Sequence, residues 1–127
     1  MSQFPKELFY SKSHEWLRRE DGDVVTIGIT DHAQGQMGDL VFVDLPETNR
    51  QVQTGDDVAV VESVKTASDV YTPVSGEIME INSALIHAPE TVNKDPYGEG
   101  WIMKLRLSQP DELEQLLDAE DYQKTLE

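Results

Sequence analysis

The feature that most constrains this chain is the rhythm of its apolar residues, which fall into short dense runs, each closed by a turn signal. Val24-Val25-Thr26-Ile27-Gly28-Ile29, Leu40 to Leu45, Val58-Ala59-Val60-Val61 and Trp101 to Leu107 are such runs. Asp21-Gly22, Pro46, Thr54-Gly55 and Pro73-Val74-Ser75-Gly76 punctuate them. Short apolar runs bounded by Gly, Pro and Asp describe strands and hairpins, not long helices. A disordered polyampholyte would scatter the same residues, so a charged content of 28% does not argue for disorder here.

Read in order, His14 to Arg19 and Val24 to Ile29 form a hairpin turning at Asp21-Gly22, because Gly accepts the positive φ of a tight turn. Thr30-Asp31 caps a short helix running to about Gln36, ended by Gly35 or Gly38. Residues 47–57 read as loop and turn. Val58 to Glu62 and Ala67 to Tyr71 pair around a tip of Ser63-Val64-Lys65-Thr66, and Glu77 to Ile81 follows as a strand. Residues 82–100 read as a long ordered loop. Trp101, Met103, Leu105 and Leu107 share one face of the last strand. The period then switches: Leu113, Leu116 and Leu117 form a helical stripe after Pro110, and Asp118 caps a second short helix carrying Tyr122 and Leu126. A helical tail is therefore expected over about 109–126. Gly55 and Gly76 read as structural, placed where the backbone takes positive φ. No linker or composition break divides residues 1–127, so the expectation is a single domain.

Composition removes whole classes of function. At 127 residues the chain can bury its own core and needs no metal or disulfide staple. With Lys plus Arg at 10 and Asp plus Glu at 25, the formal charge is −15. That disfavours nucleic acid and anionic membranes as partners. Zero cysteines exclude thiol catalysis and Cys-based metal sites. No apolar run approaches a membrane span, and the N-terminal residues show neither a signal core nor an Arg-rich transit pattern, so a bacterial-type cytoplasm is the expected setting. A processed organellar chain would look the same.

Enzyme templates also fail. There is no Gly-x-Ser-x-Gly elbow, no His-Glu-x-x-His and no Walker loop. His14, His32 and His87 are too far apart for a local metal motif, and Asp21-x-Asp23 and Asp56-Asp57 lack the glycine and terminal Glu of an EF-hand. No catalytic residue and no metal site is expected. Lys65 stands apart, since a lysine at a hairpin tip is held by two paired strands yet projects into solvent. That suits a modifying enzyme, which needs an exposed amine at a fixed place.

From Val61-Glu62-Ser63-Val64-Lys65-Thr66-Ala67-Ser68-Asp69 through Pro73-Val74-Ser75-Gly76 the chain resembles the lipoyl-attachment segment of glycine cleavage system H proteins. Ser13-His14-Glu15-Trp16, Gly28-Ile29-Thr30-Asp31-His32-Ala33-Gln34, Gly38-Asp39-Leu40-Val41-Phe42-Val43-Asp44-Leu45-Pro46 and Pro96-Tyr97-Gly98-Glu99-Gly100-Trp101 are similar to further blocks of that family, in family order. Val64 and Thr66 separate it from biotin carriers, which flank the lysine with methionines. Thr66, where many relatives have alanine, and Thr48-Asn49-Arg50, which lacks a glycine often found there, are the departures.

The resemblance implies a mainly β fold, a barrel-sandwich hybrid of the lipoyl/biotinyl type, with a short internal helix and a C-terminal helical tail. It implies covalent lipoate on Lys65 and a carrier, not an enzyme. Its partners would be the pyridoxal-phosphate glycine decarboxylase (P protein), the aminomethyltransferase (T protein), dihydrolipoyl dehydrogenase (L protein) and a lipoylating enzyme. The redox sulfurs would belong to the cofactor. Because an aminomethyl group on sulfur is open to water, a protective site is expected, with Ser13, Glu15 and Asp69 as its lining and His32 in a position to approach. Glu62 is expected to serve recognition by the lipoylating enzyme. Three other readings fit the same residues: an H-like relay of lipoyl groups to other proteins, an unmodified interaction domain, and a Schiff-base enzyme using Lys65.

Overall fold

A computed structural model describes residues 4–126. Met1–Gln3 lie outside the described residues, and with them part of the N-terminal stretch on which the reading of a chain without a leader rests. Nine strands, β1 (Phe9–Tyr10), β2 (Glu15–Arg19), β3 (Val24–Ile29), β4 (Leu40–Asp44), β5 (Gln51–Val52), β6 (Asp57–Ser63), β7 (Ala67–Tyr71), β8 (Gly76–Ile81) and β9 (Met103–Leu107), carry the described fold. They form two antiparallel sheets, one ordered β1-β2-β3-β9-β8-β5 and one ordered β4-β6-β7. Alternation along the strands sends Leu17, Val25, Ile27, Val43, Val61, Val70, Ile78 and Leu105 into one core.

The helix over Asp31–Met37 (α1) is capped as the sequence indicates: the Thr30 hydroxyl accepts from Ala33 N, and Gly38 ends it at φ 82°. Two expected loops contain regular structure instead. Residues 47–57 include β5, which completes the larger sheet by pairing with β8. Residues 82–100 hold two single-turn helices, α2 (Ala84–His87) and α3 (Thr91–Lys94). Their anchors are polar. Asn82 Nδ2 donates to the carbonyls of Glu99 and Trp101, both at 2.8 Å. Asn93 donates to Gly38 O at 2.8 Å and accepts from Leu40 N at 2.9 Å, so α3 fixes the turn between α1 and β4.

The tail begins as a 3-10 helix, Pro110–Gln115, with Leu113 buried, but the expected helical stripe breaks there: Leu116 is extended and Leu117 bridges to Tyr10 as a strand residue. Helix resumes only as α4 (Ala119–Thr125), where the Asp118 carboxylate accepts from Asp121 N at 2.8 Å. A second apolar cluster joins α4 to the outer side of β1 and β2, with Tyr10 and Tyr122 stacked at 4.8 Å over Leu8 and Trp16. Gly55 has the positive φ expected of it, at 94°. Gly76 does not: a Cβ there would lie 2.0 Å from the Arg106 carbonyl oxygen, so close approach of β8 to β9 is what requires glycine.

Candidate functional site

The site is built on the β6–β7 hairpin. Residues Glu62↔Ala67, Val61↔Ser68 and Val60↔Asp69 face one another, which leaves Val64, Lys65 and Thr66 at the exposed tip. Ser63 holds that tip, a role the sequence reading did not assign. Its backbone N–H donates to Thr66 O at 2.8 Å, and its hydroxyl accepts from Lys65 N and Thr66 N, each at 3.3 Å. A serine two and three residues before the bonded amides is a local turn device, and that spacing is the signal that was available. The Lys65 side chain leans onto the end of α1: a Cβ built on Gly38 would sit 3.5 Å from its Cε.

Beside the hairpin lies a cavity of about 310 Å³ bounded by β2, α1 and β7, and Ser13, Glu15 and Asp69 all line it with Thr66. Strand alternation explains the placement of Glu15. Trp16 faces α4, so Glu15 and Leu17 face the smaller sheet. Glu15 is only 1% exposed. Its Oε1 accepts from the hydroxyls of Ser11 and Ser13, both at 2.6 Å, and Oε2 accepts from Tyr71 N at 3.3 Å. Burial pushes its carboxyl above the ordinary value, against the pull of these hydrogen bonds. No ion pair among the described residues engages it. A buried carboxylate with fixed hydroxyls and no cation can receive an ammonium.

His14 also lines this cavity, which the sequence reading did not foresee. Its backbone takes φ 75°, rare for a residue with a side chain, and its Nδ1 lies 2.8 Å from the Tyr122 hydroxyl. Tyr122 in turn meets Thr30 Oγ1 at 2.8 Å. Burial, and then the nearby His32, hold the His14 imidazole below its usual pKa. The His32 ring stands 5.1 Å from that of His14 and is not among the residues lining the cavity. Glu62 does not line it either; it lies on the outer face of the smaller sheet beside Phe42. His87 ends α2. Among the described residues no group of His, Asp and Glu is arranged to hold a metal ion.

Two antiparallel sheets with an exposed lysine at a hairpin tip describe a barrel-sandwich hybrid of the carrier class. The sequence profile of the glycine cleavage H-protein family matches residues 8–127, and the chain belongs to that family. It is 60% identical to the glycine cleavage system H protein of Coxiella burnetii over 127 residues, covering 100% of this chain and 98% of that one. It is 59% identical to that of Escherichia coli, with the same coverage. The crystal structure of a glycine cleavage system H protein from Mycobacterium marinum superposes with a TM-score of 0.89 at 38% identity, covering 97% of this chain and 98% of that one. Its function is that of an H protein, a lipoyl carrier of the glycine cleavage system and not itself an enzyme. Among the described residues no helix is long and apolar enough to cross a membrane.

Proposed function

We propose that Lys65 is the lipoyl attachment point and that residues 1–127 work as one carrier domain in a bacterial-type cytoplasm. The observation that supports this best is an exposed primary amine at a rigid hairpin tip in a family that carries lipoate. The residues fit the group, because the amine is exposed for an amide bond and a cavity lined by the carboxyls of Glu15 and Asp69 lies beside the same hairpin. When bound, the dithiolane supplies the disulfide that takes up the aminomethyl group left when glycine loses carbon dioxide.

The chain's own residues do the rest. Ser63 fixes where the amine starts, so reach comes from the side chain and not from a moving backbone. Glu15 and Ser13, with Asp69 at the rim, accept hydrogen bonds from the cargo's ammonium and hold it protonated. A protonated amine has no lone pair with which to expel sulfur, so the cargo survives until delivery. The enzymes served are the glycine decarboxylase, the aminomethyltransferase and dihydrolipoyl dehydrogenase, and a lipoylating enzyme installs the group, with Glu62 as part of what it reads. Intact mass followed by peptide mapping, after expression with lipoate and a lipoylating enzyme, tests the attachment. A lipoyl-sized addition confined to Lys65 and absent from Lys65→Arg is expected. An addition elsewhere, or none, would overturn it.

A further inference from the structure

Four of the five large apolar side chains that the described surface leaves exposed stand at one end of the molecule: Val41 at 53%, Phe42 at 47%, Val64 at 85% and Ile86 at 55%. Scattered exposed apolar residues need no explanation, but a cluster does. A β-bulge builds this one. The register of β4 on β6 shifts between Leu40 and Phe42, so Leu40 and Val43 face the core while the two residues between them both face out. Without the bulge, alternation would have turned one of them inward. Phe42 then stands beside Glu62, Val64 follows at the tip, and α2 packs on β4 to bring Ile86 alongside.

The rim of this patch is acidic. Asp39 and Asp44 are exposed and Glu62 half-buried, and none of them is engaged in an ion pair among the described residues. Lys65 leans to this side, its Nζ 3.8 Å from a Cβ built on Gly38, at the head of β4. Reach decides which partner must sit here. Enzymes served by a lipoyl arm can dock at the arm's length, whereas the enzyme that adds the arm meets only a bare lysine and has to contact the protein within a few ångströms of it.

We infer that the bulged face of β4, with Val64 and Ile86, is the surface on which the lipoylating enzyme seats, through an apolar contact ringed by Lys or Arg. This rests on the assignment of Lys65 as the attachment point. The chemistry it positions is acyl transfer: the deprotonated ε-amine attacks the carbonyl of lipoyl-adenylate, the amide N–C bond forms, the C–O bond to AMP breaks, and the amine releases a proton. Acidic rim residues facing a basic partner raise its encounter rate and make it sensitive to salt.

The test is the rate of lipoylation of the apo chain by an ATP-dependent lipoate–protein ligase, followed by mass. Phe42→Ser/Ile86→Ser is expected to lose roughly tenfold or more in kcat/KM, the scale of removing central apolar anchors from an interface. The same variant, driven to full lipoylation with excess ligase, should keep its rate with glycine decarboxylase. Should the double variant unfold, Asp39→Lys/Asp44→Lys reads the same surface without touching the core, and a severalfold loss is expected. Lipoylation indifferent to both variants overturns the inference, as does an equal loss of Phe42→Ser/Ile86→Ser with the decarboxylase. No addition to the unsubstituted chain would instead overturn the Lys65 assignment, and this inference with it.

Discussion

Glu15 is a fully buried carboxyl with no ion-pair partner among the described residues, which is what the proposed protection of an ammonium asks of a single residue. Burial holds its folded pKa above the ordinary 4.5. Its contribution to stability is therefore fully present below about 4.5 and is lost as pH rises through the folded value. The difference in urea midpoint between the unsubstituted chain and Glu15→Gln should follow that course, and a flat difference would refute the shift. A loaded cavity reverses the preference, since a neighbouring ammonium favours the ionised form. In lipoylated protein loaded with the aminomethyl group, Glu15→Ala should then speed the decay of the cargo about tenfold, the scale of one charge-assisted hydrogen bond. Formaldehyde release measures it, and an unchanged rate would remove Glu15 from the protective role. Ser13, Glu15 and Asp69 were legible as a group through the family resemblance. Ser11, the second hydroxyl on Glu15, was not, because its contact depends on how the chain turns between β1 and β2.

At the scale of elements, α4 is wired to the cavity. The Tyr122 hydroxyl sits between His14 Nδ1 and Thr30 Oγ1, and Thr30 also caps α1. Tyr122→Phe leaves His14 Nδ1 without this partner and removes one of the two hydrogen bonds of the fully buried Thr30 hydroxyl, and should cost about 1–3 kcal/mol of unfolding free energy. Urea denaturation reads it, and a loss well below that range would mean the chain of hydroxyls is incidental. Because burial lowers the His14 pKa, the folded state resists protonation, and stability falls as pH drops through 6.5 towards the folded value. His14→Asn, which tolerates the left-handed backbone, should remove that slope. The caps at Thr30, Gly38 and Asp118 were readable because each is a local pattern. The helices α2 and α3 were not. A single turn has too few residues to show a period, and these turns are held by Asn82 and Asn93 bonding to distant backbone.

At the scale of the whole molecule, strands and hairpins follow from local pattern, but the insertion of β9 between β3 and β8 does not, since no turn signal encodes that pairing. The distribution of charge also appears only in three dimensions. All five ion pairs among the described residues use cations of the larger sheet or α4, namely Arg18, Arg19, Lys104, Arg106 and Lys124. They neutralise carboxylates away from the lysine hairpin, while Asp39, Asp44, Glu62 and Asp69 around it have no such partner. Part of the formal charge of −15 thus stands outside any ion pair around the lysine hairpin. Such a field raises the rate of encounter more than the strength of the complex. It fades when the Debye length falls to about 10 Å at 0.1 M salt. With lipoylated protein as the varied substrate of glycine decarboxylase, kcat/KM should fall severalfold between about 0.02 and 0.3 M salt while kcat holds. Equal salt sensitivity in kcat would place the effect after docking. A flat kcat/KM would mean that the acidic end serves solubility alone.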